Sequence, residues 1–250
     1  MHTRRSGLDG GSPVLLLHGG GVAGWMWDSL RARLEATHGV LVPDLPGHGS
    51  SADEPYRSHD ATVEALVAML RREKVGPVAV IGFSLGAQLA VQLAARHPEA
   101  VERVAVVSAQ ASPLPFAGPT LGLLALAAPL ARSRRFARLQ ARELFVPPAS
   151  MEAYLETSAG ISRRTLLAAV GENLRFRVPE GWASYPGDAL VMVGGRERAV
   201  MRESASILHA ALPTSRLETV DGAGHGVPLQ RSSWFDERVV AWLAETASTR

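Results

Sequence analysis

A serine flanked by glycine two positions away on each side, Gly82-Phe83-Ser84-Leu85-Gly86, follows the apolar run 77–81 and precedes a helix-like segment. A serine hydroxyl is a poor nucleophile unless a base takes its proton and the side chain stands clear of the backbone. A tight strand-to-helix turn gives that clearance, and it demands neighbours without side chains. The pattern alone is weak in a chain with 24 glycines, where it also describes an ordinary turn ending a strand. Its setting, β-rich before and amphipathic after, selects the nucleophile reading.

Two further segments carry chemistry that such a nucleophile needs. His18-Gly19-Gly20-Gly21 follows the apolar run 13–17, and glycines there let main-chain amides turn toward a neighbouring site and hold an oxyanion. The amides of Gly20 and Leu85 are the expected donors, with Gly21 the next candidate. A phosphate loop is the competing reading of the glycines, but its signature is missing. Of eight histidines, His225 lies just past the last expected strand between small residues that leave its ring exposed, and it is the expected general base. His18 and His48 sit in glycine-rich loops and read as structural, while His2, His38, His59, His97 and His209 fall in termini or helices.

Positioning these groups requires a scaffold. Short β-branched or leucine-rich runs at 13–18, 39–43, 77–83, 101–108, 188–195 and 215–221 alternate with helical patterns, the signature of an α/β fold with a mostly parallel central sheet and helices on both faces. Val63, Leu66, Val67 and Leu70 form a helical stripe, with Asp60 as its expected cap and Gly76 as its expected end. Leu85, Leu89 and Leu93 repeat the spacing, as do Phe235, Val239 and Trp242. Residues 112–182 break the alternation with Leu-, Ala- and Arg-rich helical pieces, several prolines and no convincing strand. The expected organisation is therefore a core of 1–111 and 183–250 with a helical cap inserted at 112–182, over the edge where the strands end.

With 250 residues, 46% of them hydrophobic, the chain can bury one full core. Its net charge is only +2 and Lys74 is the sole lysine among 26 basic residues; without a polybasic tract, nucleic acid is not an expected partner. The absence of cysteine excludes a thiol nucleophile, a disulfide framework and a thiolate metal site. Residues 111–131 run uncharged for about a spanning length, but Pro113, Pro115, Pro119 and Pro129 make an apolar lid or loop the expectation, not a membrane span. The apolar run near residue 14 is too short for a signal peptide, and a cytoplasmic protein is expected.

Taken in order, the glycine loop at 18–21, the segment Asp44-Leu-Pro-Gly-His-Gly-Ser-Ser51, the serine turn at 82–86, the helical insertion and Gly222-Ala-Gly-His225 resemble the α/β-hydrolase superfamily over nearly the whole chain. The resemblance implies the chain order nucleophile, acid, histidine, so the acid lies between Ser84 and His225. Glu197, just beyond the strand at 188–195, is the implied acid, although relatives more often carry aspartate there. Its competing reading is a surface ion pair with Arg196 or Arg198. Asp188 stands at the wrong end of that strand, Asp221 before a glycine reads as a loop cap, and the alternative acid position at the end of the strand from 101 offers only Ser108, Ala109 and Gln110, none of them acidic. By the same resemblance Asp44 belongs to a structural turn. The lead-in of 12 residues is short against the one or two antiparallel strands of relatives, so a sheet without that first strand is expected.

The implied activity is hydrolysis of a small carboxylic ester, lactone or thioester through an acyl-enzyme on Ser84, with no metal or organic cofactor. Carbon–carbon bond hydrolysis and slow-turnover binding of a small molecule are the alternatives that relatives offer. Leu114, Phe116, Leu121, Leu123, Leu124 and Leu126 point to an apolar small-molecule substrate or to plain packing, and Arg132, Arg134, Arg135, Arg138 and Arg142 read as a solvated basic face.

Overall fold

The computed structural model describes residues 1–8, 10, 12–115, 117–131 and 133–245, so Phe116 and Arg132 lie outside the described residues. The elements run β1 (Thr3–Gly7), β2 (Pro13–Leu17), α1 (Asp28–Leu34), β3 (Gly39–Pro43), α2 (His59–Glu73), β4 (Val78–Phe83), α3 (Leu85–Arg96) and β5 (Val101–Val107). Four helices follow, α4 (Ala117–Ala131), α5 (Arg134–Glu143), α6 (Met151–Gly160) and α7 (Arg163–Arg175). The chain then adds β6 (Asp188–Gly194), α8 (Ala199–Ala211), β7 (Arg216–Val220), α9 (Val227–Gln230) and α10 (Ser232–Ala244).

The seven strands form one sheet in the order β1-β3-β2-β4-β5-β6-β7. Every pairing is parallel except β1 with β3, where Thr3 faces Pro43 and Gly7 faces Gly39. The expected missing first strand is thus present. Its sequence, TRRSG, has no apolar alternation because it is a polar, partly exposed edge, a common way to keep an edge from pairing with other chains.

Period-two alternation sorts the strand residues into two cores. Leu15, Leu17, Val80, Val104 and Val191 pack against α2, α3 and α8 through Val63, Leu66, Leu89 and Leu208. Val14, Leu16, Ile81, Ala105 and Leu190 pack on the opposite face against Leu30 of α1 and Phe235 and Val239 of α10. Burial on both faces is what makes these strands nearly continuous apolar runs.

Local chemistry adjusts the ends. The α2 stripe is buried as expected, but Ser58 caps it, accepting from the Ala61 amide at 3.1 Å. Asp60 instead holds Gln92 and Arg96 of α3 at 2.7 and 2.8 Å. The helix stops at Lys74, which takes a left-handed conformation at φ 54°, not at Gly76. The uncharged stretch expected as a lid or loop is largely helical: α4 holds Pro119 in its first turn, where a missing amide costs nothing. No helix among the described residues is long and apolar enough to cross a membrane.

The helices α4 to α7 all lie between β5 and β6. Trp25, in the loop after β2, ties them to the sheet by donating Nε1–H to Thr157 of α6 at 3.1 Å. The chain is back against the sheet layer by Gly181, where an added Cβ would fall 2.3 Å from the Ala95 carbonyl oxygen, and by Trp182, which is fully buried.

Candidate active site

Ser84 sits between β4 and α3 at φ 52° and ψ −111°, outside the conformations most residues adopt. The turn is held by main-chain bonds: the Ser84 amide donates to Val107 at 2.8 Å and its carbonyl accepts from Gln88 at 3.1 Å. Both glycines are obligatory by contact. A Cβ on Gly82 would stand 2.3 Å from the Gly86 oxygen, and one on Gly86 would stand 2.2 Å from the Leu17 oxygen. Neighbouring backbones therefore pass where side chains would be, and the serine side chain is left projecting.

The Ser84 hydroxyl lies 3.1 Å from His225 Nε2, and His225 Nδ1 lies 2.8 Å from Glu197 Oε2. His225 comes from the loop after β7, with its ring 5.2 Å from that of Phe83. Its small neighbours have a different purpose from the expected one of exposing the ring. A Cβ on Gly226 would fall 2.3 Å from the Leu144 oxygen, and one on Gly224 would fall 2.8 Å from the Phe145 ring. The histidine loop is small because the segment after α5 lies directly against it.

Glu197 is buried, with a side chain only 1% exposed, which removes the reading of a surface ion pair. Its Oε1 accepts from the Ser108 hydroxyl at 2.6 Å and the Gly194 amide at 2.9 Å. Burial alone would push its pKa up, but the His225 hydrogen bond and charge, with the Ser108 and Gly194 bonds, outweigh it and hold the carboxyl below its ordinary value. Ser108, set aside in the sequence because it is not acidic, is instead a donor to the acid. It directly follows β5 at φ 55°, with its amide donating to Met192 of β6 at 2.9 Å, and the signal was its place at a strand end next to the strand that precedes Glu197.

Gly20 lies against Leu85, since an added Cβ would stand 3.9 Å from the Leu85 Cβ. Among the described residues, the amides of Gly20, in the loop after β2, and Leu85 have no main-chain acceptor, which for Leu85 is expected in the first turn of a helix. His18 supports this loop from beneath. Its Nδ1–H donates to the Gly19 oxygen at 2.8 Å and its Nε2 accepts from the Leu45 amide at 2.8 Å. Complete burial, with His48 nearby, lowers its pKa to about 3. Asp44 accepts from the Gly24 and Ser50 amides, both at 2.8 Å, and so closes a turn. Asp188 is at the far end of β6, bonded to Trp242 and Arg216.

Ser84, Gly20, Gly21 and His48 open onto a cavity of about 680 Å³. Its other walls are faces of the inserted helices at helical spacing: Phe136, Gln140 and Leu144 from α5 and its end, Tyr154 and Ser158 from α6, and Arg163, Leu166, Val170 and Asn173 from α7. Leu124 of α4 joins them, whereas Leu123 and Leu126 are 70% and 80% exposed and point elsewhere. Arg134 pairs with Glu152 at 2.9 Å on the outer surface, and Arg135, Arg138 and Arg142 are exposed. Among the described residues no group of three or more His, Asp or Glu could hold a metal ion.

Known proteins share this architecture. A 27% identical relative covering 93% of this chain and 93% of its own is the pimeloyl-[acyl-carrier protein] methyl ester esterase of Neisseria meningitidis. An AB hydrolase superfamily protein of Gibberella zeae is 40% identical over 94 residues, 37% of this chain and 33% of that one, so the match spans about a third of that relative. An esterase from Exiguobacterium antarcticum superposes with a TM-score of 0.85 at 20% identity, over 98% of this chain and 95% of the other, which speaks to fold alone. The sequence model of the alpha/beta hydrolase family matches residues 14–241, from the second strand through most of the last helix. A mostly parallel sheet with this order, a strained serine between β4 and α3 and a family match over nearly the whole chain make the protein a member of the alpha/beta hydrolase family.

Proposed function

We propose that the protein is a serine hydrolase that cleaves a small carboxylic ester, lactone or thioester through an acyl-enzyme on Ser84. The observation that carries this reading is the unbroken contact from Ser84 Oγ to His225 Nε2 to Glu197, at 3.1 and 2.8 Å, at the floor of a cavity. His225 takes the Ser84 proton as the hydroxyl attacks the carbonyl carbon, and Glu197 keeps the ring proton on Nδ1 and stabilises the imidazolium. The Gly20 and Leu85 amides receive the negative charge that develops on the carbonyl oxygen, and each is worth about a hundredfold or more in rate. His225 then protonates the leaving group, and water deacylates the serine by the same steps in reverse. The apolar side chains of the inserted helices favour an apolar acyl or alkyl portion, and a 680 Å³ cavity admits one of moderate length.

Purified protein and Ser84→Ala are compared on p-nitrophenyl esters of increasing acyl length, and both are treated with a fluorophosphonate. Turnover and labelling that vanish in Ser84→Ala, with a rate loss of up to about a millionfold, support the reading. Turnover that survives the substitution, or a protein that neither turns over nor labels, sinks it.

A further inference from the structure

Asn173 in the cavity wall is a polar group whose direction is set by a chain of hydrogen bonds through the fold. Gln88, one helical turn after the serine and fully buried, places a carboxamide atom 2.8 Å from the main-chain oxygen of Gln110. A carbonyl only accepts, so that atom is the nitrogen. Gln88 Oε1 therefore faces His59 Nε2 at 2.9 Å, and that ring nitrogen carries the proton. His59 Nδ1 is left to accept from the Tyr56 hydroxyl at 2.9 Å. A neutral ring fits this pattern, since burial lowers the His59 pKa.

The second N–H of Gln88 points at the Asn173 side chain at 3.0 Å, which makes that atom Oδ1. Nδ2 of Asn173 is then turned away from the relay, and it has no partner among the described residues. Asn173 ends the α7 face that lines the cavity. The neighbouring Gln140, Glu143 and Arg163 also line it, but they are exposed and none is oriented from behind by buried groups.

We infer that Asn173 Nδ2 is a pre-oriented hydrogen-bond donor to the substrate, so that the substrate carries, besides its scissile carbonyl, an uncharged acceptor oxygen (keto, ether or hydroxyl) within an otherwise apolar portion. The inference rests on the hydrolase reading and narrows its substrate class. Pre-orientation matters because a donor that is already fixed loses little freedom on binding. A chain without the oxygen leaves the donor unpaired once water is expelled, so the subsite discriminates by penalty as well as by attraction.

The test uses the full-length protein, Asn173→Leu and Asn173→Asp, with sets of esters that differ only by a keto oxygen moved along the acyl or the alkyl side. The readout is the ratio of kcat/KM for each keto ester to that of its parent, with fluorophosphonate labelling of Ser84 and thermal melting reporting an intact site and fold. At least one keto position is expected to exceed its parent by about tenfold in the unaltered protein, and that ratio falls to about one in Asn173→Leu and in Asn173→Asp. Gln88→Met, which leaves Asn173 in place but free to turn, lowers the same ratio part way. A ratio near one at every position, or one that both Asn173 variants retain, overturns the subsite while turnover of the parent leaves the hydrolase reading standing. No turnover of any ester together with no labelling of Ser84 removes both.

Discussion

The carboxylate at Glu197 is oriented more tightly than its contact with His225 alone requires. The Gly194 amide can only donate, and it donates to Oε1, as does Ser108. In Glu197→Gln that position must stay an oxygen, so the new amide nitrogen faces His225 Nδ1 and drives the ring proton to Nε2. A ring protonated there cannot accept from Ser84, and kcat is expected to fall by about 10³ to 10⁴ with the fold retained. Ester turnover beside a melting curve checks this; a loss under tenfold would mean that the ring finds its working tautomer without the carboxylate. Sequence placed Ser84 because its requirement is local, a bare turn between strand and helix. It placed Glu197 only through resemblance, because nothing local marks an acid that acts on a residue 28 positions away.

At the scale of elements, the strand-to-helix turn at 82–86 works because backbone passes within van der Waals distance on both sides. Gly86→Ala would drive a methyl into the Leu17 carbonyl, and neither the strand nor α3 can yield cheaply. A loss of about 3 kcal/mol or more is expected, larger than for an ordinary overpacked core site. Urea unfolding measures it, and a change under about 1 kcal/mol would show that α3 slides freely on the sheet. The boundaries of β2 to β6 were legible to within a residue or two because buried parallel strands are written as apolar runs. The polar edge strand β1 was not, since its hydrogen bonds to β3 depend on main chain and its side chains carry no pattern. The ends of α2 were assigned to Asp60 and Gly76 in place of Ser58 and Lys74 for a related reason: a cap is chosen by backbone geometry, and several nearby residues qualify by type.

Over the whole molecule, three buried imidazoles set the response to acid. Burial lowers the pKa of His18 to about 3 and lowers those of His48 and His59. Between the folded value and the unfolded value near 6.5, the unfolded chain binds more protons, so stability falls as pH drops below about 6.5, by up to about 1.4 kcal/mol per pH unit for each ring. Glu197 and Asp44, whose carboxyls are held below their ordinary values, add their losses only at lower pH, as each titrates in the fold. Urea midpoints at pH 7.5, 6 and 5 should therefore decline before Glu197 and Asp44 contribute, and a flat profile across that range would mean the rings accept protons inside the fold. The amino-acid sequence by itself determined the alternation of strands and helices, the strand-to-helix turn at 82–86 and the run of helices between β5 and β6, because each is written in residues adjacent in the chain. Tertiary structure alone decided the partners that orient Glu197, the packing that keeps the histidine loop small and the direction of the Asn173 amide. Those depend on distances between segments up to 89 residues apart, and such distances exist only once the sheet has assembled.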